Sequence, residues 1–224
     1  MKTYGHSVRL TRPVTRVLIG ANQTSAQPSN TSQMFTLYNL DTTKYRDGTL
    51  IAQASSSAQW TAYGNGGTGS WCYYNFDPAN NATYGKLYNW YAVNGTDGSG
   101  VQRNIAPVNY SVPTNTEWST LISYLGPANV AGGKMKSTTG WQLSGNGTNT
   151  SGFTGLPGGY CAPGGNFSDV GYYGYLWSST ALNSTSAYYT YLFYNDNEAR
   201  TSTIDKTFGF SVRLIKLNTA WRTG

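Results

Sequence analysis

Histidine is almost missing from this chain: His6 is the only one in 224 residues. Cysteine is scarce as well, with Cys72 and Cys161 far apart. A metal centre built on His and Cys needs several donors at close spacing, and no close pair stands here. We therefore expect no metal and no cofactor. A Ser-His-Asp set would depend on His6 alone. Charge is sparse too, at 11% of residues. The net charge of +6 comes from Lys and Arg scattered singly, without the basic runs of a nucleic-acid or polybasic membrane segment. No apolar run approaches the roughly 18 residues of a membrane span. Met1–His6 is not followed by the apolar stretch of a signal peptide. Neither nucleic acid nor membrane insertion is expected.

What is present is aromatic and polar. The chain holds 19 Tyr, 7 Trp and 27 Gly, and aromatics make up 15% of it. Disordered chains are usually rich in charge and poor in aromatics, so an ordered fold is expected. Tyr, Asn, Ser, Thr and Gly together form the palette of binding loops, where rigid contact surface sits beside adaptable hydrogen bonders. The length suits one large domain or two small ones. Cys72 and Cys161 either close one long-loop disulfide in an oxidising compartment or stay two buried thiols, and the spacing does not decide between these.

Two segments have helical period. In Tyr84–Val93, Tyr84, Leu87, Tyr88 and Tyr91 fall at i, i+3, i+4 and i+7. In Val112–Gly126, Trp118, Leu121, Ile122 and Leu125 do the same. There Thr114 and Glu117 form a capping box, and Gly126 is a fitting stop. Residues 20–36 and 54–70 read as polar loops, and Asp47-Gly48 as the centre of a turn. Strands are expected at Met34–Leu40, Tyr173–Ser178, Ala187–Tyr194 and Gly209–Ile215. Gly and turn residues recur from residue 127 on. Helices followed by short strands and long loops make an α+β domain.

The last third carries three apolar-and-glycine blocks: Gly155-Leu-Pro-Gly-Gly-Tyr160, Trp177-Ser-Ser-Thr180 and Phe208-Gly-Phe-Ser-Val-Arg-Leu214. They enclose a stretch dense in Tyr, Asn, Thr and Asp. This layout suggests a rigid scaffold around a polar surface. Tyr4–Arg12 echoes Phe208–Lys216, through a shared Ser-Val-Arg-Leu. The echo is either the last strand of a preceding module or a second strand of one sheet. We divide the chain into a leader and linker at 1–36, a domain at 37–218 and a tail at 219–224.

With Asn39–Gly48, Trp71–Asn75, Asp77–Asn80, Tyr84–Val93, Val112–Thr114 with Glu117-Trp118, and Val130–Lys134, these blocks make a collinear series. The chain resembles the Fibrobacter succinogenes major paralogous domain, a bacterial and phage relative of the C-type lectin-like fold. The likeness covers roughly residues 37–216. It departs at Asn109-Tyr-Ser111, where the family usually has Gly-aromatic-His. The resemblance implies terminal strands that meet and a loop-rich exposed face that binds ligand. It also implies a place in phage tail adhesins or bacterial surface proteins, outside the cell. The calcium-dependent sugar triplets of true C-type lectins are not found here.

The candidate binding surface is Ala187–Thr203. If Leu192 faces the core, alternation puts Thr190 and Tyr194 on its side and sends Tyr189, Tyr191 and Phe193 outward. Asn195, Asp196, Asn197, Glu198, Arg200, Thr201 and Thr203 extend that surface, and Tyr173 and Tyr175 border it. Aromatic faces could stack on sugar rings, and the same groups would suit a protein epitope. Packing of the rings against a neighbouring loop is the plainer alternative. Arg213, between Val212 and Leu214, is expected to form a salt bridge or face solvent. The function expected is a non-enzymatic adhesin or receptor-binding module for a host-surface glycan or protein. The alternative is a structural module packed among virion or surface-protein subunits. A formylglycine-generating-type enzyme shares the lectin-like architecture and a Gly-Phe-X-Val-Arg ending, but it would need a nearby Cys pair for copper.

Overall fold

The computed structural model describes residues 33–96, 99 and 101–216. The Tyr4–Arg12 echo and the 219–224 tail lie outside them. The domain is α+β, with ten strands and five α-helices among the described residues. In chain order the strands are β1 (Ala52–Gln53), β2 (Ser70–Cys72), β3 (Leu87–Tyr88), β4 (Tyr110–Ser111), β5 (Gly158–Cys161), β6 (Phe167–Val170), β7 (Tyr173–Ala181), β8 (Ser186–Phe193), β9 (Ala199–Asp205) and β10 (Ile215–Lys216). The helices are α1 (Ser57–Asn65), α2 (Asn81–Tyr84), α3 (Trp90–Asn94), α4 (Asn115–Leu125) and α5 (Ala128–Met135).

The main sheet runs β6-β5-β7-β8-β9, with β5 and β7 parallel and the other pairs antiparallel. Smaller sheets join β1-β2-β3 and β10-β4. The two ends of the domain come together, as the resemblance implied. Phe35 bridges Ile215, and the Thr36 and Leu40 amides donate to the Leu214 and Val212 carbonyls at 2.9 and 2.7 Å.

Helix α4 forms where its period and caps place it. The Thr114 hydroxyl accepts from the Glu117 amide, the Glu117 carboxylate accepts from the Thr114 amide, and the helix ends at Gly126. Its apolar stripe of Trp118, Leu121, Ile122 and Leu125 is buried with Leu176, Leu192 and Ala199 of the main sheet. The expected strands at 173–178 and 187–194 are β7 and β8.

Tyr84–Val93 is not one helix. Gly85 takes φ +73, which ends α2, and Leu87–Tyr88 then runs extended between Trp71-Cys72 and Phe210. Asn89 opens the separate α3 by accepting from the Ala92 amide. The helical period was real, but pairing with two strands outweighed it. Two segments read as loops are helical. Ser56 caps α1, which sends Trp60 into the core. Helix α5 uses Gly132 because a Cβ there would collide with the Glu198 carbonyl, so α5 meets the turn just before β9 backbone to backbone.

Arg213 overturns its expectation most clearly. It is fully buried and pairs with no carboxylate among the described residues. Its guanidinium donates to Asn39 Oδ1 at 2.7 Å and to the carbonyls of Thr36, Phe153 and Thr154 at 2.7–2.8 Å. It also lies over the Phe153 ring. Burial pushes its pKa down, while the four oxygens compensate the charge. Alternation predicted an outward residue, but residues 35–40 and 153–154 cover that side.

Candidate functional site

Strands β7 and β8 pair Tyr173 with Phe193, Tyr175 with Tyr191 and Trp177 with Tyr189. All six rings therefore share one face of the sheet. The opposite face of the same strands carries Leu176, Thr190 and Leu192, all buried. The expected alternation of Tyr189, Tyr191 and Phe193 against Leu192 holds.

The outward rings are partly buried, and what covers them is mainly each other. Phe193, Tyr173, Tyr175 and Phe210 form a continuous stack, with successive centroids 4.4, 5.3 and 4.9 Å apart and planes within 25°. Tyr189 leans on Phe210 at 5.0 Å, and Tyr194 stands edge-on to Phe193 at 4.6 Å. At the inner end Trp177 is fully buried, and its indole N–H donates to the Tyr88 carbonyl. The stack thus grades from core to solvent.

This geometry answers the question of ring faces. The faces of Tyr173 and Tyr175 are occupied on both sides by neighbouring rings. A stacking platform for a sugar ring is therefore not presented by these two rings. Tyr175 donates its hydroxyl to Asp169 at 2.7 Å; burial first, then this bond, drives its pKa far up. Burial also raises Tyr189 and Tyr173. The hydroxyls of Tyr173 and Tyr191 carry no hydrogen bond among the described residues.

A charged cluster adjoins the rings at the β8–β9 turn. Arg200 bonds Asp196 at 2.8 Å and Glu198 at 2.6 Å, and its guanidinium lies 5.8 Å from the Tyr191 ring centre. The Asp196 bond holds the guanidinium pKa above its ordinary value. Beneath the turn sits Lys136, only 2% exposed. Its ammonium donates to the carbonyls of Phe193, Tyr194 and Asp196 at 3.2, 3.2 and 2.7 Å. Burial lowers its pKa. Sequence reading missed Lys136, whose role arises from contacts some 60 residues away.

The structure divides the expected site residues. Tyr173, Tyr175, Tyr189, Tyr191, Phe193 and Arg200 share the aromatic face, with Asp196 and Glu198 at its edge. Asn195 and Asn197 are exposed in the turn. Thr201 and Thr203 pair with Thr190 and Tyr188, so they belong to the opposite face of the sheet. Strand alternation, applied past the turn, would have separated them from Arg200. Cys72 and Cys161 are free thiols, fully buried in the cluster of Trp60, Tyr74 and Leu87. Burial, then the neighbouring Cys161 thiol, raises the Cys72 pKa.

The family model of the Fibrobacter succinogenes major domain matches residues 31–216. The chain belongs to this family. No curated protein and no solved structure matches it. In this Fibrobacter succinogenes major domain, the blocks at Gly155–Tyr160, Trp177–Thr180 and Phe208–Leu214 supply β5, the middle of β7 and the segment bearing Phe210 and Arg213. Trp177 and Phe210 from two of these blocks are themselves members of the ring cluster.

Proposed function

We propose that this domain is a non-enzymatic binding module of C-type lectin-like fold, acting outside the cell as an adhesin of a phage tail or bacterial surface. Its binding face is the outer side of β7 and β8, and its ligand is a host-surface macromolecule. The observation that carries this reading is the partly exposed cluster of packed rings, in which the Tyr173 and Tyr191 hydroxyls have no hydrogen-bond partner among the described residues. Ring-to-ring packing fixes those hydroxyls before any ligand arrives, which lowers the entropy cost of binding. The charges at the rim support recognition rather than acid–base chemistry. Asp169 is engaged by Tyr175 and Ser168, and Asp196 and Glu198 by Arg200.

Because hydroxyl edges rather than ring faces are offered, a protein epitope is favoured over a stacked glycan. The test begins with capture of whole bacterial cells, and of glycan and surface-protein arrays, by the full chain. The triple variant Tyr173→Phe, Tyr189→Phe, Tyr191→Phe keeps every ring and removes three hydroxyls. We expect it to lose at least about tenfold in binding with its thermal midpoint little changed. Unaltered capture by the triple variant would exclude the hydroxyl face as the site.

A further inference from the structure

Asp169 sits where strand alternation would not put it. On β5, Tyr160 stands edge-on to Tyr175 at 5.6 Å, so it belongs to the ring side of the sheet. Tyr160 pairs with Ser168 of β6, which puts Ser168 on that side too. The next residue should face the other way. Instead Asp169 adopts φ +67, and its carboxylate comes back to the ring side. There it accepts from the Tyr175 hydroxyl at 2.7 Å and from the Ser168 hydroxyl at 2.9 Å. Gly159, opposite it on β5, also takes a positive φ, +62, and a Cβ there would lie 2.3 Å from the Ser168 carbonyl oxygen. A left-handed backbone at a residue with a side chain costs free energy, and such strain gathers where a functional side chain must be held in place.

The charge of that carboxylate is unmatched. Asp169 forms no ion pair among the described residues. Arg200, on the same face of the sheet, is already held by Asp196 and Glu198. Two hydroxyl donors fill half of the roughly four acceptor positions of a carboxylate. The Tyr175 hydroxyl needs an acceptor there, not an anion. Asp169 and Tyr173 are both partly exposed. Tyr173 stacks on Tyr175 with planes 9° apart. Burial raises the Tyr173 pKa, and the Asp169 charge adds to the rise. Its hydroxyl oxygen, without a partner among the described residues, is a further acceptor near the carboxylate.

We propose that Asp169 is the charge-reading residue of the binding face and takes a Lys or Arg side chain of a protein partner. This rests on the binding-face reading and names the group recognised there. The ammonium or guanidinium donates to the remaining acceptor positions of the Asp169 carboxylate and to the Tyr173 hydroxyl oxygen. Tyr175 and Ser168 are positioning residues, which hold the carboxylate through its other two acceptor positions.

The test uses Asp169→Asn, which keeps the shape, tolerates the left-handed backbone and removes only the charge. The probe is a bacterial surface-protein array in three copies: untreated, acetylated at Lys, and blocked at Arg with phenylglyoxal. On the untreated array Asp169→Asn should bind at least about tenfold more weakly than the parent. Its binding should also fall less steeply as salt rises. The parent should lose a similar factor on one of the two blocked arrays, an arm that needs no variant. Asp169→Asn should lose little more on that array, because the same contact is already gone. Parental binding by Asp169→Asn, a parent indifferent to both blocking reactions, or a further tenfold loss by the variant on the blocked array would each overturn the proposal. The two readings fail separately. Loss of binding by the triple Tyr→Phe variant but not by Asp169→Asn keeps the aromatic face and removes the cation site. Unaltered binding by both removes the aromatic face itself.

Discussion

The two faces of β7 and β8 are built from adjacent residues but held in different ways. On the inner face Leu176, Thr190 and Leu192 are sealed under α4 and α5. On the outer face Trp177 and Ala187 are buried in a second core cluster with Phe210 and Val212, Tyr175 and Tyr189 pack against that cluster, and Tyr173, Tyr191 and Phe193 extend the rings from it toward solvent. Both faces carry core, and they differ at the Tyr173, Tyr191 and Phe193 end, where the outer face opens to solvent while the inner face stays closed.

Single substitutions on the two faces should therefore separate stability from recognition. Leu192→Ala opens a cavity in a fully buried site and is expected to cost about 2–5 kcal/mol. Tyr191→Phe, one residue away, is expected to stay within about 0.5 kcal/mol. Urea unfolding of both variants measures the contrast. Equal losses would erase the distinction between the faces.

A smaller effect sharpens the inner face. The Thr190 hydroxyl is buried without a hydrogen-bond partner among the described residues. Thr190→Val keeps the shape and removes an unpaired polar group, so it should stabilise by about 1 kcal/mol. A lower urea midpoint for this variant would mean that the hydroxyl has a partner after all.

The smallest effect is a pH dependence. Burial raises the Tyr88 and Tyr175 phenols above their ordinary value. In the unfolded chain they ionise near pH ~10. Above that pH the native state holds more protons than the unfolded one, so stability falls as pH rises. Below it, the contribution of both groups is complete. Absorbance at 295 nm should show exposed tyrosines ionising near pH ~10 and these two only as the domain unfolds. Ionisation of all the tyrosines with the fold intact would contradict their burial.

Much of this was legible in the sequence where information is local. The capping box at Thr114 and Glu117, the Gly126 stop and the period-2 alternation around Leu192 need only neighbouring residues. The domain blocks carried the family. What was not legible depends on distant partners. Leu87–Tyr88 became a strand because β2 and Phe210 flank it, and Arg213 turned inward because carbonyls from two remote loops meet there. Lys136 lies under the site through a contact its own segment does not announce. The ring stack is the same kind of case: the sequence places three aromatics on one side, while their mutual packing follows from pairing with β7.

The central claim is that the outer hydroxyl edges recognise ligand while the rings merely hold them. Its most direct test is capture of whole cells and array ligands by the Tyr173→Phe, Tyr189→Phe, Tyr191→Phe variant, with thermal unfolding measured on the same sample. The account predicts an unfolding midpoint close to that of the parent and binding reduced by at least about tenfold. Parental binding at the parental midpoint would contradict it.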